Sequence, residues 1–434
     1  MKKSIFFIAS FMMLGLSLSA KDINLVKDWK VKADGKTKVT AKIQKAIDEV
    51  SASGGGKVIL SDGVFLSAPI EMKTGVNLVI ESGTTLLASP DINDFPDRTD
   101  ARHYITENLP RWRNAAFIYA DQANDIAITG LGTIDCNGEY HVKEKTEPDW
   151  VDWQFERKYP VRESLPRVVF FAGCRKVTVM DVMMVNQPSG WGYWIHDCDN
   201  VIFDRCRIYN DVRYRNNDGI HINSSRDVTI SNCIIEAGDD ALVVRANNRS
   251  LRENKTCERV VVTNCSLRSW ANGIRIGWVN DGVIRHCTFS NIVMNDCGNG
   301  VAMWFPAVAD KSDYGCEASF VEDLNFSDII MNDMYSHPVL SWVADDPKTK
   351  VAAVRNIRFN NIYSRGLQFP YMVAREDCPF EDIQFNNCTF VKVSDEVLPN
   401  YKQHGGAIID RRLEDKMENI TGLVYNNTKF IIER

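Results

Sequence analysis

Residues 228–233 read VTISNC and residues 260–265 read VVVTNC, and both follow one six-residue pattern. The pattern is an apolar residue, any residue, an apolar or aromatic residue, any residue, Asn or Asp, and a small or apolar residue. Successive copies end between 24 residues (182 to 206) and 40 residues (388 to 428) apart. Further copies occupy residues 177–182, 287–292, 324–329, 357–362, 383–388 and 423–428, and residues 201–206 fit except for Arg205.

Alternating apolar and polar residues are typical of β-strands, and strands that recur at this spacing without helical patterns between them indicate a solenoid. We predict an all-β fold, a right-handed parallel β-helix with equivalent strands about 4.8 Å apart. The fifth position would form a ladder of Asn and Asp side chains that turns the chain. The cysteines at the sixth position should be buried and mostly unpaired, because stacked inward side chains run parallel. They are Cys206, Cys233, Cys265 and Cys388.

The N-terminal residues have the features of an export signal. Lys2 and Lys3 precede an apolar run over residues 5–18 that ends among small residues. This arrangement predicts a signal peptide over residues 1–20 and a periplasmic or secreted mature protein. The apolar run is too short to span a membrane.

A helix is predicted next, at the start of the mature chain. Apolar residues at positions 39, 43, 46, 47 and 50 share one helical face, and three glycines at 54–56 end the run. An open solenoid end exposes apolar surface, so we expect this helix to cap the first coil. No linker follows, and residues 21–434 are predicted to form a single domain with a loop-rich insertion near residues 90–166.

The composition of the 434 residues, with 44% hydrophobic and 25% charged residues, is that of an ordinary soluble protein. The net charge is -6 and there is no basic cluster, which argues against nucleic acid and anionic membranes as partners. The chain is expected to be a monomer.

Candidate catalytic residues are concentrated in the central coils. Asp218 follows Asn216 and Asn217, and Asp239 and Asp240 come 21 residues later (218 to 239), which is close to one short coil. We therefore expect three carboxylates in one patch of the outer wall. Like charges this close raise at least one pKa and allow an acid and a base to coexist. Acidic pairs in turns are also commonly solvated or bind calcium.

With these motifs the sequence resembles glycoside hydrolase family 28, the polygalacturonases and rhamnogalacturonan hydrolases of pectin breakdown. The family's Asn-Thr-Asp motif is similar to residues 216–218, with Asn217 in place of threonine, and its Asp-Asp motif to Asp239 and Asp240. The resemblance implies an inverting hydrolase without metal or organic cofactor, in which Asp239 protonates the glycosidic oxygen and Asp218 and Asp240 activate a water. Inversion calls for a gap of roughly 6.5 to 9.5 Å between acid and base.

Two other family motifs are not matched. The Gly-His-Gly motif falls on residues 271–273, so that its histidine becomes Asn272. The Arg-Ile-Lys motif falls on residues 302–304, with Trp304 in the last position, and both cations that hold the galacturonate carboxylate in the family are lost. Because a sugar carboxylate needs a cationic partner, this loss argues against plain polygalacturonan as the substrate.

The remaining candidates for substrate binding lie around the acids. Arg245 and Arg275 are possible replacement cations or simply outer-face charges, and Trp304 and Trp278 could form a platform for a deoxy sugar. Asn217 and Asn272 complete the predicted substrate-binding set, and His221 has no assigned role. The expected partner is a pectin-type polysaccharide or oligosaccharide. A β-helical lyase or epimerase and a non-catalytic carbohydrate-binding solenoid remain open alternatives.

Overall fold

The computed structural model describes residues 20–98, 102–104, 114–141, 150–151, 157–158, 165, 167–188, 190–214, 216–308, 318–398 and 414–433. The chain forms a right-handed parallel β-helix, as the hexamers predict. Each coil contributes strands to three parallel sheets, which we call the site sheet, the second sheet and the third sheet. In the C-terminal half, four strands continue through a corner from one sheet into the next. They are Cys257–Ile276, Val283–Phe305, Ser319–Met334 and Val351–Gly366.

The other strands stack within one sheet each, in the order given. The site sheet contains Ile70–Glu71, Ala116–Asp121, Arg167–Ala172, Trp191–His196, Ile220–Asn223, Leu242–Arg245, Val339–Val343, Tyr371–Val373 and Met417–Glu418. The second sheet contains Ile23–Asn24, Gly56–Leu60, Val76–Ile80, Asn124–Thr129, Arg175–Met180, Asp199–Asp204, Arg226–Ser231, Phe380–Asn386, Ile420–Thr421 and Val424–Asn426. The third sheet contains Asp34–Lys38, Val64–Ser67, Thr85–Ala88, Thr133–Asp135, Met183–Val185, Arg207–Tyr209, Ile234–Ala237, Thr389–Lys392 and Lys429–Ile432.

The fifth position of the hexamer turns the chain, as predicted. In all nine copies this residue has a left-handed backbone, with φ between 47° and 67°, and this includes Arg205 where the pattern departs from Asn or Asp. Asn and Asp tolerate this conformation better than other residues with a side chain. Their side chains also bond along the helix axis: Asn264 donates to Asn232 at 3.3 Å, and Asn291 donates to Asn264 at 2.6 Å. The ladder is thus confirmed as a structural device.

The cysteines are also placed as expected. All eleven cysteines among the described residues are buried and free of disulfide bonds, including Cys206, Cys233, Cys265 and Cys388 at the sixth hexamer position. They act as small apolar side chains in the interior of the coils.

The third hexamer position builds an aromatic column inside the C-terminal coils. The ring centroids of Phe326 and Phe359 are 5.1 Å apart, and those of Phe359 and Phe385 are 4.8 Å apart, with interplanar angles of 11° and 9°. Phe289 and Tyr425 extend the column at its two ends. The ring spacing matches the strand spacing of a parallel sheet. Stacking of these rings therefore helps to fix the register between successive coils.

Truncation of one ring in this column should be costly. Phe359→Ala is expected to lower the free energy of unfolding by about 3–5 kcal/mol, because the ring is fully buried and its neighbours are held by their own coils. Ile330→Thr, on the outer face of the third sheet where the side chain is exposed, should change it by no more than about 0.5 kcal/mol. Denaturant titration of both variants measures the difference. Equal losses of unfolding free energy in Phe359→Ala and Ile330→Thr would contradict the proposed contribution of the aromatic column to stability.

A helix over Thr40–Ala52 caps the first coil, as the sequence predicts. Its apolar face, formed by Ile43, Ala46, Ile47 and Val50, is buried in the core, and Val39 is the N-cap residue. The glycines at 54–56 have positive φ, and the amide of Gly55 donates to the carbonyl of Val50 at 3.0 Å, which closes the helix end. None of the helices in the described ranges is long and apolar enough to cross a membrane.

The predicted insertion near residues 90–166 is more regular at its centre than expected. The sequence indicated two short strands there, over residues 116–119 and 126–128, whereas three strands of the region join the solenoid. They are Ala116–Asp121, Asn124–Thr129 and Thr133–Asp135, one in each sheet, so a complete coil lies inside this region. Short helices of the 3-10 type lie at Ile92–Asp94 and Gly138–His141, and Trp150–Val151 pairs with Arg157–Lys158 in an antiparallel ribbon. The rest of the insertion and the predicted signal peptide, up to residue 19, lie outside the described residues.

Candidate active site

The two acidic motifs lie one coil apart at the same edge of the site sheet. Asp218 comes two residues before the strand Ile220–Asn223, and Asp240 comes two residues before Leu242–Arg245. The two strands pair in parallel with Ile220 opposite Leu242, and the amide of Gly219 donates to the carbonyl of Asp240 at 2.9 Å. The register therefore stacks Asp218 directly beside Asp240, as the interval between the motifs predicted.

The carboxylates of Asp218, Asp239 and Asp240 form one cluster. One oxygen from each lies within 4.8 Å of the others, and the residues are 3%, 7% and 0% exposed, respectively. This spacing is shorter than the gap of roughly 6.5 to 9.5 Å that an inverting mechanism calls for. The reason is that adjacent coils are only about 4.8 Å apart, and the bend at Gly238 turns both members of the Asp-Asp pair toward the same edge.

Gly238 and Asn217 hold the two motifs together. A Cβ on Gly238 would lie 2.4 Å from the carbonyl oxygen of Val212, so no side chain fits there. Its amide donates to Oδ1 of Asn217 at 2.8 Å, and Nδ2 of Asn217 donates to the carbonyl of Asp211 at 2.9 Å. Asn217 was predicted to bind substrate, but its fully buried amide is bonded to backbone on both sides. It positions the turn that carries Asp239.

Asp240 is the most tightly held of the three acids. Its Oδ2 accepts from Arg275 Nη1 at 2.7 Å and its Oδ1 from Asn272 Nδ2 at 2.5 Å. Burial raises the pKa of Asp240 to about 6, although the Arg275 guanidinium opposes the shift, and the charge of Asp239 adds to it. Asn299 in turn donates to Asn272 at 3.0 Å. Asn272, predicted to contact substrate, is buried with its Nδ2 bonded to Asp240.

Asp239 and Asp218 have different contacts from Asp240. Oδ1 of Asp239 accepts from the amide of Asp240 at 3.0 Å, and its Oδ2 accepts from Asn216 at 3.2 Å. Oδ2 of Asp218 lies 3.7 Å from Nδ1 of His221, beyond hydrogen-bond length. The ring of His221 packs against Trp191 with centroids 4.7 Å apart. The cluster thus contains one carboxylate, that of Asp240, that pairs with a guanidinium.

Such a cluster has the donor set of a cation site, since carboxylate oxygens are the ligands of Ca²⁺ and Mg²⁺. However, both oxygens of Asp240 already accept from N–H donors, and one donor is a guanidinium. A divalent cation would have to displace or face that positive charge. The surroundings of the cluster fit proton transfer better than metal binding.

Comparison with known proteins agrees with this geometry. The family model "Glycosyl hydrolases family 28" matches residues 72–341, which is more than half of the chain. The chain belongs to glycosyl hydrolase family 28. An endo-polygalacturonase of Pectobacterium carotovorum subsp. carotovorum is 28% identical over 342 residues, covering 77% of this chain and 79% of the relative. An exo-poly-alpha-D-galacturonosidase of Dickeya chrysanthemi is 25% identical over 258 residues, covering 51% and 41%.

Solved structures show the same fold. An exopolygalacturonase from Thermotoga maritima superposes with a TM-score of 0.67 at 20% identity, covering 94% of this chain and 92% of the other. A polygalacturonase from Erwinia carotovora ssp. carotovora gives a TM-score of 0.62 at 19% identity, covering 93% and 96%. These superpositions show the fold, and the departures of this family 28 glycoside hydrolase from the family motifs can be located in its own structure.

The first departure concerns the cations of this family 28 hydrolase. Strand register places Arg275 directly beside Ala302, the position that aligns with the arginine of the family's Arg-Ile-Lys motif. A guanidinium is thus present one coil away from that position. Its CZ atom lies 4.3 Å from the ring centroid of Trp278, and one side of it is bonded to Asp240. Arg275 is therefore brought to the acids, as predicted.

Arg245 is placed differently. It forms a two-point ion pair with Asp281, with N–O distances of 2.9 and 2.7 Å, and both side chains are buried. Asp281 was not identified from the sequence, because it lies in a loop 36 residues further along the chain and outside any hexamer. The guanidinium that was predicted to bind substrate thus binds this carboxylate, and its positive charge acts on the nearby His221.

The second departure is an aromatic wall in place of the lysine. Trp304 packs edge-to-face against Trp278 at 5.5 Å and against Trp342 at 5.8 Å. Ala302 and Leu340 complete the cluster, and Trp278, Trp342 and Tyr371 are half-buried at its edge. Trp304 itself is buried, so the ring edges available to a ligand belong to its neighbours. We call this set the aromatic wall.

Asn299 is a further polar residue that the sequence analysis missed. It lies opposite Asn272 in the next coil, and each of the two is followed by a glycine. The two Asn-Gly pairs are 27 residues apart (272 to 299), which equals the distance between the hexamers that end at 265 and 292. This matched interval was the signal that could have found it.

Proposed function

We propose that this protein hydrolyses a glycosidic bond in a pectin-type polysaccharide or its oligosaccharides, and that the sugar beside the scissile bond is neutral rather than galacturonate. The observation that carries the proposal is the cluster of three aspartates next to an aromatic wall. The acids provide the hydrolytic chemistry of family 28, whereas the wall replaces the cations of the Arg-Ile-Lys motif. The protein would act as a periplasmic or secreted monomer.

The reaction needs one proton donor and one activated water. Asp239 gives its proton to the glycosidic oxygen as the bond to the anomeric carbon breaks, and a water attacks that carbon from the opposite face. Two carboxylates within 4.8 Å can both accept from one water, because two O–H···O bonds of about 2.8 Å span up to 5.6 Å. In the proposed reaction Asp218 and Asp240 do so, and one of them takes the released proton. This single displacement inverts the anomeric configuration.

A neutral sugar follows from the charges around the site. The guanidinium of Arg245 is paired with Asp281 and that of Arg275 with Asp240, so neither is an uncommitted counter-ion for a uronate. The half-buried rings of Trp278 and Trp342 offer apolar surface for the apolar face of a sugar, and a deoxy sugar such as rhamnose has the largest one. The carboxylate of a uronate bound at the same place would lose its hydration without gaining a cationic partner, which would cost free energy.

The main alternative is elimination by a lyase on the same fold. Elimination needs a base beside a uronate and usually a calcium ion to neutralise the carboxylate. Arg275 is the candidate base, but its Nη1 donates to the buried carboxylate of Asp240 at 2.7 Å, so this guanidinium is already engaged with one of the acids. The contacts of Arg275 therefore favour hydrolysis.

The test uses pectic fractions and defined side-chain oligosaccharides. Hydrolysis releases reducing ends without a rise in ultraviolet absorbance, whereas elimination leaves an unsaturated uronide that absorbs. NMR of the first-formed product should show the inverted anomer, and we expect faster cleavage of fractions containing rhamnose than of polygalacturonan. A retained configuration would show that one aspartate attacks the sugar directly, as the short carboxylate separation also permits.

Chelation separates the two reactions in a second way. Activity should be unchanged by an excess of EDTA and not increased by added Ca²⁺, because Asp240 is neutralised by Arg275 and not by a metal ion. Initial rates before and after dialysis against the chelator measure this. A loss of activity that Ca²⁺ restores would contradict the metal-free mechanism.

A further inference from the structure

His221 is a buried polar side chain that the mechanism above leaves without a role. It lies on the site-sheet strand Ile220–Asn223, three residues after Asp218, and is 1% exposed. In the part of the chain that the structure describes, neither ring nitrogen of His221 has a hydrogen-bond partner. A buried imidazole without partners costs free energy, and such exceptions occur where the group serves a function.

The carboxylate of Asp218 lies close to the imidazole. The distance from Nδ1 to Oδ2 is 3.7 Å, so a shift of about 0.8 Å would make a normal hydrogen bond. Trp191 packs on the ring and limits its movement to small rotations. Hydrogen bonds between catalytic groups are often long in the free enzyme and shorten when substrate binds.

The charges around the ring keep it neutral. Burial lowers the pKa of His221 well below its usual value, and the positive charges of Arg245, Arg275 and Arg167 lower it further. A neutral imidazole carries one N–H donor and no net charge. It can therefore hold a carboxylate in place without forming the strong ion pair that would make Asp218 a poor base.

We propose that His221 is a positioning residue of the hydrolase, which donates from Nδ1–H to Asp218 in the substrate complex and so fixes the orientation of Asp218 toward the attacking water. The proposal rests on the proposed function, in which Asp218 is one of the two bases. In this arrangement the two bases have separate hydrogen-bond donors. Asn272 and Arg275 hold Asp240, and His221 holds Asp218. The histidine motif that this chain lacks lies on the side of Asp240.

Three substitutions of His221 separate a positioning role from a packing role. His221→Phe keeps a ring against Trp191 but has no N–H donor. His221→Asn places an amide nitrogen near the position of Nδ1, and His221→Gln places one near Nε2. We expect His221→Phe to lower kcat/KM by about 10²-fold, mostly through kcat. His221→Asn should restore most of the loss, and His221→Gln less.

The pH profile provides a second readout. The acid limb of kcat/KM should move to higher pH in His221→Phe, because the ionised form of Asp218 loses a donor, and return in His221→Asn. The other charged or titratable groups that face the ring, namely Arg245, Arg275, Arg167 and His196, are the same in all three variants. Asp240 also contributes to this limb, but its donors Arg275 and Asn272 are kept in all three variants. A limb that moves in His221→Phe and returns in His221→Asn therefore reports the bond to Asp218.

His196 offers a matched control on the same sheet. It is also buried, it stacks on Trp194 with centroids 4.9 Å apart, and its Nε2 lies 3.4 Å from Ser250. His196→Asn is expected to lower the melting temperature without moving the acid limb. Full activity of His221→Phe, a raised KM with unchanged kcat, or equal losses in His221→Phe and His221→Asn would each overturn the positioning role.

Failure of the proposed function would look different. In that case the wild-type protein would release no reducing sugar from any pectic fraction, and the inference about His221 would fall with it. An active wild type that loses activity in Asp218→Asn but not in His221→Phe would overturn the inference about His221 alone.

Discussion

Asp239→Asn should lower the rate of hydrolysis of a pectic oligosaccharide by about 10³–10⁴-fold while leaving its binding intact. An amide at this position cannot give a proton to the glycosidic oxygen, although it occupies the same volume and can still accept from Asn216. Loss of one of three clustered carboxylates also reduces their mutual repulsion, so the variant is expected to be at least as stable as the wild type. Initial rates and calorimetric titration with oligosaccharide measure the two effects.

The chemistry of the leaving group can separate the acid from the bases. An aryl glycoside with an acidic phenol needs little protonation as it leaves, so Asp239→Asn should lose much less activity on this substrate than on the natural linkage. Asp218→Asn, which impairs water activation, should lose about the same on both. The pattern would be reversed if Asp218 were the acid.

Asp227→Asn is the matched control, because Asp227 pairs with Arg259 on the exposed outer face of the second sheet. Its activity should equal that of the wild type. A chain that binds oligosaccharide equally well as wild type, Asp239→Asn and Asp227→Asn, and releases reducing sugar in none of them, would instead be a carbohydrate-binding solenoid.

The fold could be predicted from the sequence because a parallel β-helix repeats its constraints. Each hexamer specifies an inward aromatic or aliphatic residue at position three and a left-handed turn at position five. Because the copies stack on one another, each one supports the same strand and turn assignment in its neighbours. Even Arg205, which breaks the pattern, is forced into the left-handed conformation by the coils on either side. The register of Asp218 and Asp240 then follows from the interval between their motifs.

The contacts around the acids could not be predicted in the same way. Arg245 and Arg275 cannot be told apart in the sequence, because each lies at or near the end of an apolar strand. Their partners differ because Asp281 comes from a loop, whose path the hexamers do not determine. The separation of the carboxylates was overestimated for a related reason: it depends on the bend at Gly238, a local feature that strand periodicity does not encode.

Arg275→Met should cost both stability and activity, in a manner that depends on pH. The guanidinium is the cation that opposes the effect of burial on Asp240, whose pKa is about 6. Without it the pKa of Asp240 rises further. Because Asp240 acts as a base only when ionised, the acid limb of kcat/KM, expected near pH 6 in the wild type, should shift to higher pH. Rates measured from pH 4 to pH 9 test this directly.

The stability of Arg275→Met should also depend on the ionisation of Asp240. A carboxyl group whose pKa is higher in the folded state binds more protons there than in the unfolded chain, so stability falls as pH rises through the interval between the two pKa values. In the wild type this interval runs from the usual aspartate pKa of 3.8 to about 6, and in Arg275→Met it extends upward. The variant should therefore be close to wild type at pH 4 and less stable by about 3–5 kcal/mol at pH 8, where an unpaired charge is buried.

Two further variants identify the cause. Arg275→Met combined with Asp240→Asn removes both charges, and should recover most of the stability at pH 8 without recovering activity. Arg268→Met breaks an ion pair with Asp296 on the outer face of the third sheet, and should leave the acid limb in place. If Arg275→Met lost stability equally at pH 4 and pH 8, the guanidinium would be a packing element, and the charge on Asp240 would have to be balanced elsewhere.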